Sequence, residues 1–166
     1  SNYEKCFSIV KEKNVPVIIM HAELHEPIAP LSVIGPVMVE LAKRSKTKVC
    51  VHLDHGEHLD YIKQALELGF TSVMYDGSSL DYETNVQNTK ICVEMAKKYN
   101  ASVEAEIRHL GGREFLDSKK ILKKEDMYTD PLLAKRFVED TKIDALACSF
   151  GTAHGIYKET PKIDFE

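Results

Sequence analysis

Two periods of apolar residues alternate along this chain and lay out its elements. Short apolar runs occupy residues 15–20, 48–54, 71–75, 101–107 and 144–150, and each reads as a buried strand. Between them apolar residues recur at helical spacing. Tyr3, Phe7 and Val10 share one face ahead of the first run. Val37, Met38, Leu41 and Ala42 follow Pro36, a residue suited to a first helical turn. Leu59, Ile62 and Leu66 lead to Gly69, a helix stop. Tyr82, Val86, Thr89, Val93 and Ala96 form the clearest amphipathic face, and Ala134, Phe137 and Val138 follow the helix start Thr129–Asp130–Pro131. The proline-bearing residues 24–35 read as a loop. So do the polar residues 108–127, with Gly111–Gly112 early and a lysine-rich run at 119–124.

Regular alternation of helix and strand implies parallel strands joined by right-handed crossovers. Acidic or imidazole groups stand at the end of nearly every run: His21, Asp54 with His55, Asp76, Glu106 and His154. A doubly wound sheet gathers its ligand at one switch point. Polar groups repeated at successive strand ends fit a (β/α)8 TIM barrel, whose site collects residues from several strand tips. A closed barrel needs about 250 residues. The expectation is therefore an α/β chain whose residues 1–166 form one partial TIM-barrel domain. Ser1 and Asn2 lead straight into a helical pattern, as if the chain starts within a domain.

Composition narrows the function. The 43% apolar and 29% charged residues are ordinary for a globular protein, and a net charge of −4 gives no footprint for nucleic acid. No apolar run spans a bilayer and no signal peptide opens the chain, so no membrane partner is expected. Cys6, Cys50, Cys92 and Cys148 sit singly in apolar segments, as free core thiols do, which favours a cytoplasmic setting.

The chemistry concentrates at His52–Leu53–Asp54–His55–Gly56. A neutral imidazole suits a zinc ion, and a neighbouring carboxylate suits proton transfer beside it. The alternative is a strand end capped by polar residues in a turn. Asp76–Gly77 likewise reads as a functional acid at a strand end or a plain turn. Glu104 and Glu106 share a strand face, so one is a site candidate and the other a salt-bridge partner. His52 reads as a core or supporting histidine, His21 and His25 as members of a solvated loop, and His58 and His109 as surface residues.

These segments together resemble a known family, the class II, metal-dependent ketose-bisphosphate aldolases. The similarity is carried by HLDHG (52–56), GFTSVMYDGS (69–78), the TNV that follows, VEAEI (103–107) with its later LGG, YTDP (128–131), DALACSFGTAHGIY (144–157) and PKIDFE at the end. The resemblance implies a zinc-dependent aldolase. Its reaction would be the reversible cleavage of a ketose 1,6-bisphosphate into dihydroxyacetone phosphate and glyceraldehyde 3-phosphate. It casts Asp54 as the proton-transfer acid, His55 and His154 as zinc ligands, and Asp76 and Glu106 as carboxylates at a second or displaced metal position. Glu114 would be an acid of a mobile loop. Gly155 would contact the phosphorylated ketone and a monovalent cation, Na+ or K+. A homodimer or homotetramer is implied.

Arg108 and Phe115 depart from the family pattern, which has glycine and aspartate there. On this resemblance the chain covers strands two to six of eight, and a third zinc histidine and the phosphate loops fall beyond residue 166. Interior residues such as Val17, Ile19 and Leu146 would then lose neighbours, and residues 108–127 would form a lid carrying Glu114. Two other readings compete: a metal-dependent TIM-barrel hydrolase, and a non-catalytic or truncated aldolase-like barrel.

Overall fold

The structure, a computed structural model, describes residues 15–107 and 128–150. The expectations placed on Tyr3, Phe7, Val10, the 108–127 lid, Glu114, His154 and Gly155 lie outside the described residues.

The chain builds strand β1 (Val17–Ala22), a 3-10 turn (Glu23–His25), helix α1 (Leu31–Arg44), β2 (Val49–Gly56), α2 (Leu59–Leu68), β3 (Ser72–Asp76), α3 (Tyr82–Lys97), β4 (Ser102–Glu106), α4 (Pro131–Thr141) and β5 (Ala145–Ala147). All strand pairs are parallel, and their order in the sheet is their order in the chain. Right-handed crossovers in unbroken sequence place every helix on the same face. This is the winding of a barrel wall. A doubly wound sheet reverses direction at its centre, and this one does not.

The helix-facing side of the sheet carries Ile19, Val51, Leu53, Val73, Tyr75, Val103 and Ala105. They pack with Leu31, Met38, Ile62, Leu66, Val86, Val93 and Phe137 in one core. Helix termini follow local chemistry. Gly69 ends α2 at φ 100°, where a side chain would be strained. The side chains of Asp81 and Asp130 accept from Thr84 N and Leu133 N at 2.9 and 2.8 Å, capping α3 and α4. Proline at the first turn of α4 needs no N–H partner.

Four expectations are corrected. First, α1 begins at Leu31, inside the stretch read as a loop, because the Glu26 carboxylate accepts the Leu31 N–H at 2.8 Å and supplies the missing cap. Pro36 then lies within the helix, on its exposed side. Second, the side of β1 facing away from the helices carries Ile18 and Met20, 59% and 51% exposed, whereas Ile19 is buried in the core. The β1 residues that lack neighbours are thus Ile18 and Met20 rather than Val17 and Ile19, because a shift of one residue exchanges the faces of a strand. Third, His21 is not solvated. It is 3% exposed on β1, with Nε2 3.1 Å from the Tyr61 hydroxyl, and burial with His25 nearby outweighs the Glu26 charge to hold its pKa below the ordinary value. Fourth, α4 buries Phe137 and Thr141 and leaves Val138 exposed.

β5 is also shorter than its apolar run. After Ala147 the backbone leaves the ladder, and Ser149 exchanges hydrogen bonds with Thr129. Cys92 is fully buried, while Cys50 and Cys148 are half-buried, and all three are free thiols.

Candidate metal centre

A strand alternates its side chains between two faces, so Asp54 and His55, adjacent on β2, should point opposite ways. The pairing of β2 with β3 resolves this. Leu53 pairs with Val73, and the next pair is Gly56 with Tyr75, so Asp54 and His55 together oppose Met74. This is a β-bulge, a device that re-aims side chains next to sites. His55 takes φ 46°, a left-handed conformation that costs a side-chain-bearing residue about 1–2 kcal/mol. Such strain persists only where surrounding contacts over-determine it.

The bulge brings the His55 imidazole to the face carrying Glu104 and Glu106. His55 Nδ1 lies 2.8 Å from Asp76 Oδ2 and 3.8 Å from Glu106 Oε2. One ligand-type atom from each of His55, Asp76 and Glu106 falls within 4.8 Å of the others, at the carboxyl ends of β2, β3 and β4. Asp76 pairs with Glu106 in the ladder, which fixes their spacing. Asp54 shares strand parity with His52, whose Nε2 is 3.7 Å from Glu104, and so belongs to the same face.

Electrostatics agree with the geometry. Burial disfavours the His55 cation, but the Asp76 hydrogen bond and the Asp54, Asp76 and Glu106 charges outweigh it and hold its pKa above the ordinary histidine value. Burial would raise the Asp76 carboxyl, yet hydrogen bonds from Ser78 and His55 bring it below its usual range. Beneath this layer His52, 5% exposed, bonds Ser72 Oγ through Nδ1 at 2.8 Å, and burial keeps its pKa low. Its burial is that of a core histidine.

Several residues that brace the site were given no role from sequence. The Ser78 hydroxyl and N–H donate to Asp76 Oδ1 at 2.6 and 3.0 Å. Asn85, buried at the start of α3, donates to the Glu106 carbonyl at 3.0 Å and accepts from Thr89 Oγ1 at 3.1 Å. The signals were present, since Ser78 follows Asp76–Gly77 and Asn85 is the centre of TNV. Gly56 is seated without room: a Cβ there would stand 2.8 Å from Ile62 Cγ1 and 2.9 Å from the Met74 carbonyl oxygen. Gly56→Ala is expected to destabilise the protein by about 1–3 kcal/mol through overpacking. Chemical denaturation of the two proteins measures it, and an unchanged midpoint would show that the strand end can yield.

A barrel-type parallel sheet with an imidazole and two carboxylates converging at three successive strand ends defines a class: barrel proteins with a candidate metal centre at the carboxyl-terminal rim. Within that class, the sequence profile of class-II fructose-bisphosphate aldolase matches residues 2–166, and the chain belongs to that family. Among solved structures it is similar to the YdjI aldolase of Escherichia coli K12, with 30% identity and TM-score 0.79 over 96% of this chain and 54% of that one. It is also similar to the fructose-bisphosphate aldolase of Campylobacter jejuni, with 21% identity, TM-score 0.76 and coverage of 99% and 53%. A putative fructose-1,6-bisphosphate aldolase from Coccidioides immitis gives 23% identity, TM-score 0.69 and coverage of 88% and 50%. The chain spans about half the length of these relatives, and its fold is a partial TIM barrel. The family is metal-dependent, in keeping with the His55, Asp76 and Glu106 cluster. Among the described residues no helix is long and apolar enough to cross a membrane.

Proposed function

We propose that this chain carries part of the active centre of a zinc-dependent aldolase that reversibly cleaves a ketose 1,6-bisphosphate into dihydroxyacetone phosphate and glyceraldehyde 3-phosphate. The observation that supports it most is the convergence of His55, Asp76 and Glu106 on one rim. One imidazole nitrogen and two carboxylate oxygens form a donor set that fits a borderline divalent ion such as zinc. A zinc ion bound there supplies Lewis-acid polarisation of a substrate oxygen.

The chain's own residues do the rest. Asp54 lies beside His55 on the same rim and is the group to accept the proton of the hydroxyl next to the scissile carbon–carbon bond, returning it in condensation. Asp76 Oδ2, 2.8 Å from Nδ1, holds the His55 ring at the rim. His154 as a further ligand, Glu114 as a loop acid, and Gly155 as a contact to substrate and a monovalent cation belong to the same proposal and rest on the sequence resemblance.

The test is an aldol-cleavage assay of the intact protein on fructose and tagatose 1,6-bisphosphates, before and after chelation. Activity lost to the chelator and restored by zinc is the expected result. Cleavage that survives complete metal removal overturns the proposal.

A further inference from the structure

Glu23 stands just past the end of β1, in the 3-10 turn, and belongs to none of the groups discussed so far. Its carboxylate nevertheless reaches across to the segment that leaves β2. Oε2 accepts the backbone N–H of Glu57 at 2.8 Å and of His58 at 3.2 Å, and Oε1 lies 2.6 Å from His58 Nδ1. The Glu23 side chain is 18% exposed, whereas the His58 side chain it meets is 74% exposed. Hydrogen bonds to a carboxylate are among the stronger ones.

The place of the clamp gives it meaning. Its donors begin one residue after Gly56, directly beyond the bulge that holds His55 at φ 46°. On one side the strand end is fixed by Gly56 against Ile62 and the Met74 carbonyl, and on another by the His55–Asp76 contact. Glu23 supplies a further restraint, which ties the segment leaving β2 to the turn that follows β1. Without it the segment can relax toward ordinary extended backbone. Ordinary alternation would then return His55 to the helix side, away from Asp54.

We propose that Glu23 is a positioning residue for the metal centre: by clamping the β2–α2 turn it keeps the bulge closed and the His55 imidazole on the face of Asp76 and Glu106. This rests on the metal-site reading given under Proposed function. The role differs from a general structural one, because it predicts a loss of metal affinity out of proportion to the loss of stability.

The experiment titrates the chelator-stripped intact protein with zinc in competition with an indicator, and with Co2+ to read its absorption spectrum. Thermal unfolding of the same samples is followed in parallel. Glu23→Ala is expected to weaken zinc about 10–100-fold, the range for partners that orient metal ligands, and to alter the Co2+ spectrum. Glu23→Gln keeps the size and one acceptor oxygen and guards against a misfolded alanine variant. It should fall between wild type and Glu23→Ala. Wild-type affinity in Glu23→Gln together with a folded, wild-type-like Glu23→Ala overturns the proposal, as does lower thermal stability with unchanged metal binding. His55→Ala serves as the control. If it binds zinc like wild type, the metal-site reading itself has failed, whereas zinc lost in His55→Ala but kept in Glu23→Ala defeats the clamp alone.

Discussion

Asp54→Ala is expected to lower kcat by about 10²–10⁴-fold while zinc binding stays close to that of wild type. That range is the usual contribution of a positioned acid–base group. The separation of the two effects comes from geometry. His55, Asp76 and Glu106 make the close cluster, whereas Asp54 lies beside it on the strand and outside the set. Asp54 is half-buried on the rim, so its truncation leaves no sealed core cavity. Steady-state kinetics on the bisphosphate, with metal content measured on the same preparation, decide the matter. A rate loss under about tenfold would remove Asp54 from the proton-transfer role.

His55→Ala should have the opposite profile, with metal affinity falling first and activity following from it. Removing a partner that merely orients a ligand costs about 10–100-fold in affinity, so removing the imidazole itself should cost more than about 100-fold. The same substitution also relieves the Asp76–Glu106 pair of the cation-favouring ring between them, leaving two carboxylates to face each other at adjacent strand ends. Added zinc at high concentration should rescue part of the activity if affinity alone is lost. Unaltered zinc binding, measured by competition on the stripped protein, would place the centre elsewhere.

Much of this was legible in the sequence. Periodicity located the strands, the later helices and the parallel order, because buried runs and amphipathic faces follow from what each element must hide. The strand-end rule singled out Asp54, His55, Asp76 and Glu106, and with them His21, which is buried against Tyr61, and His154, which lies outside the described residues. What it missed depends on contacts between segments far apart in sequence. The cap that Glu26 supplies to Leu31 cannot be seen in residues 24–35 alone, so the start of α1 was lost in a proline-bearing stretch. The run 15–20 is apolar at nearly every position, and nothing in it distinguishes Ile18 from Ile19, so its parity was a free choice. His21 looked like a loop residue because the Tyr61 hydroxyl that accommodates it comes from α2. The bulge was invisible for a deeper reason. Alternation assigns Asp54 and His55 to opposite faces, and only the pairing partners of β2 show that the rule is broken there.

The order of the strands has a bearing on how such a centre can arise at all. Each strand of the sheet lies beside its immediate predecessor and successor in the chain. No pairing therefore has to reach past an unrelated segment. Each contact between successive strands from β1 to β4 closes a single helix-bearing loop, and the entropy lost in closing a loop rises only slowly with its length. His55, Asp76 and Glu106 are contributed by three consecutive strands, so they are gathered by successive local closures rather than by one long-range search. A growing chain that orders from its amino end would hold the His55–Asp76 pair as soon as β3 docks, and the Glu106 carboxylate would join a half-built centre.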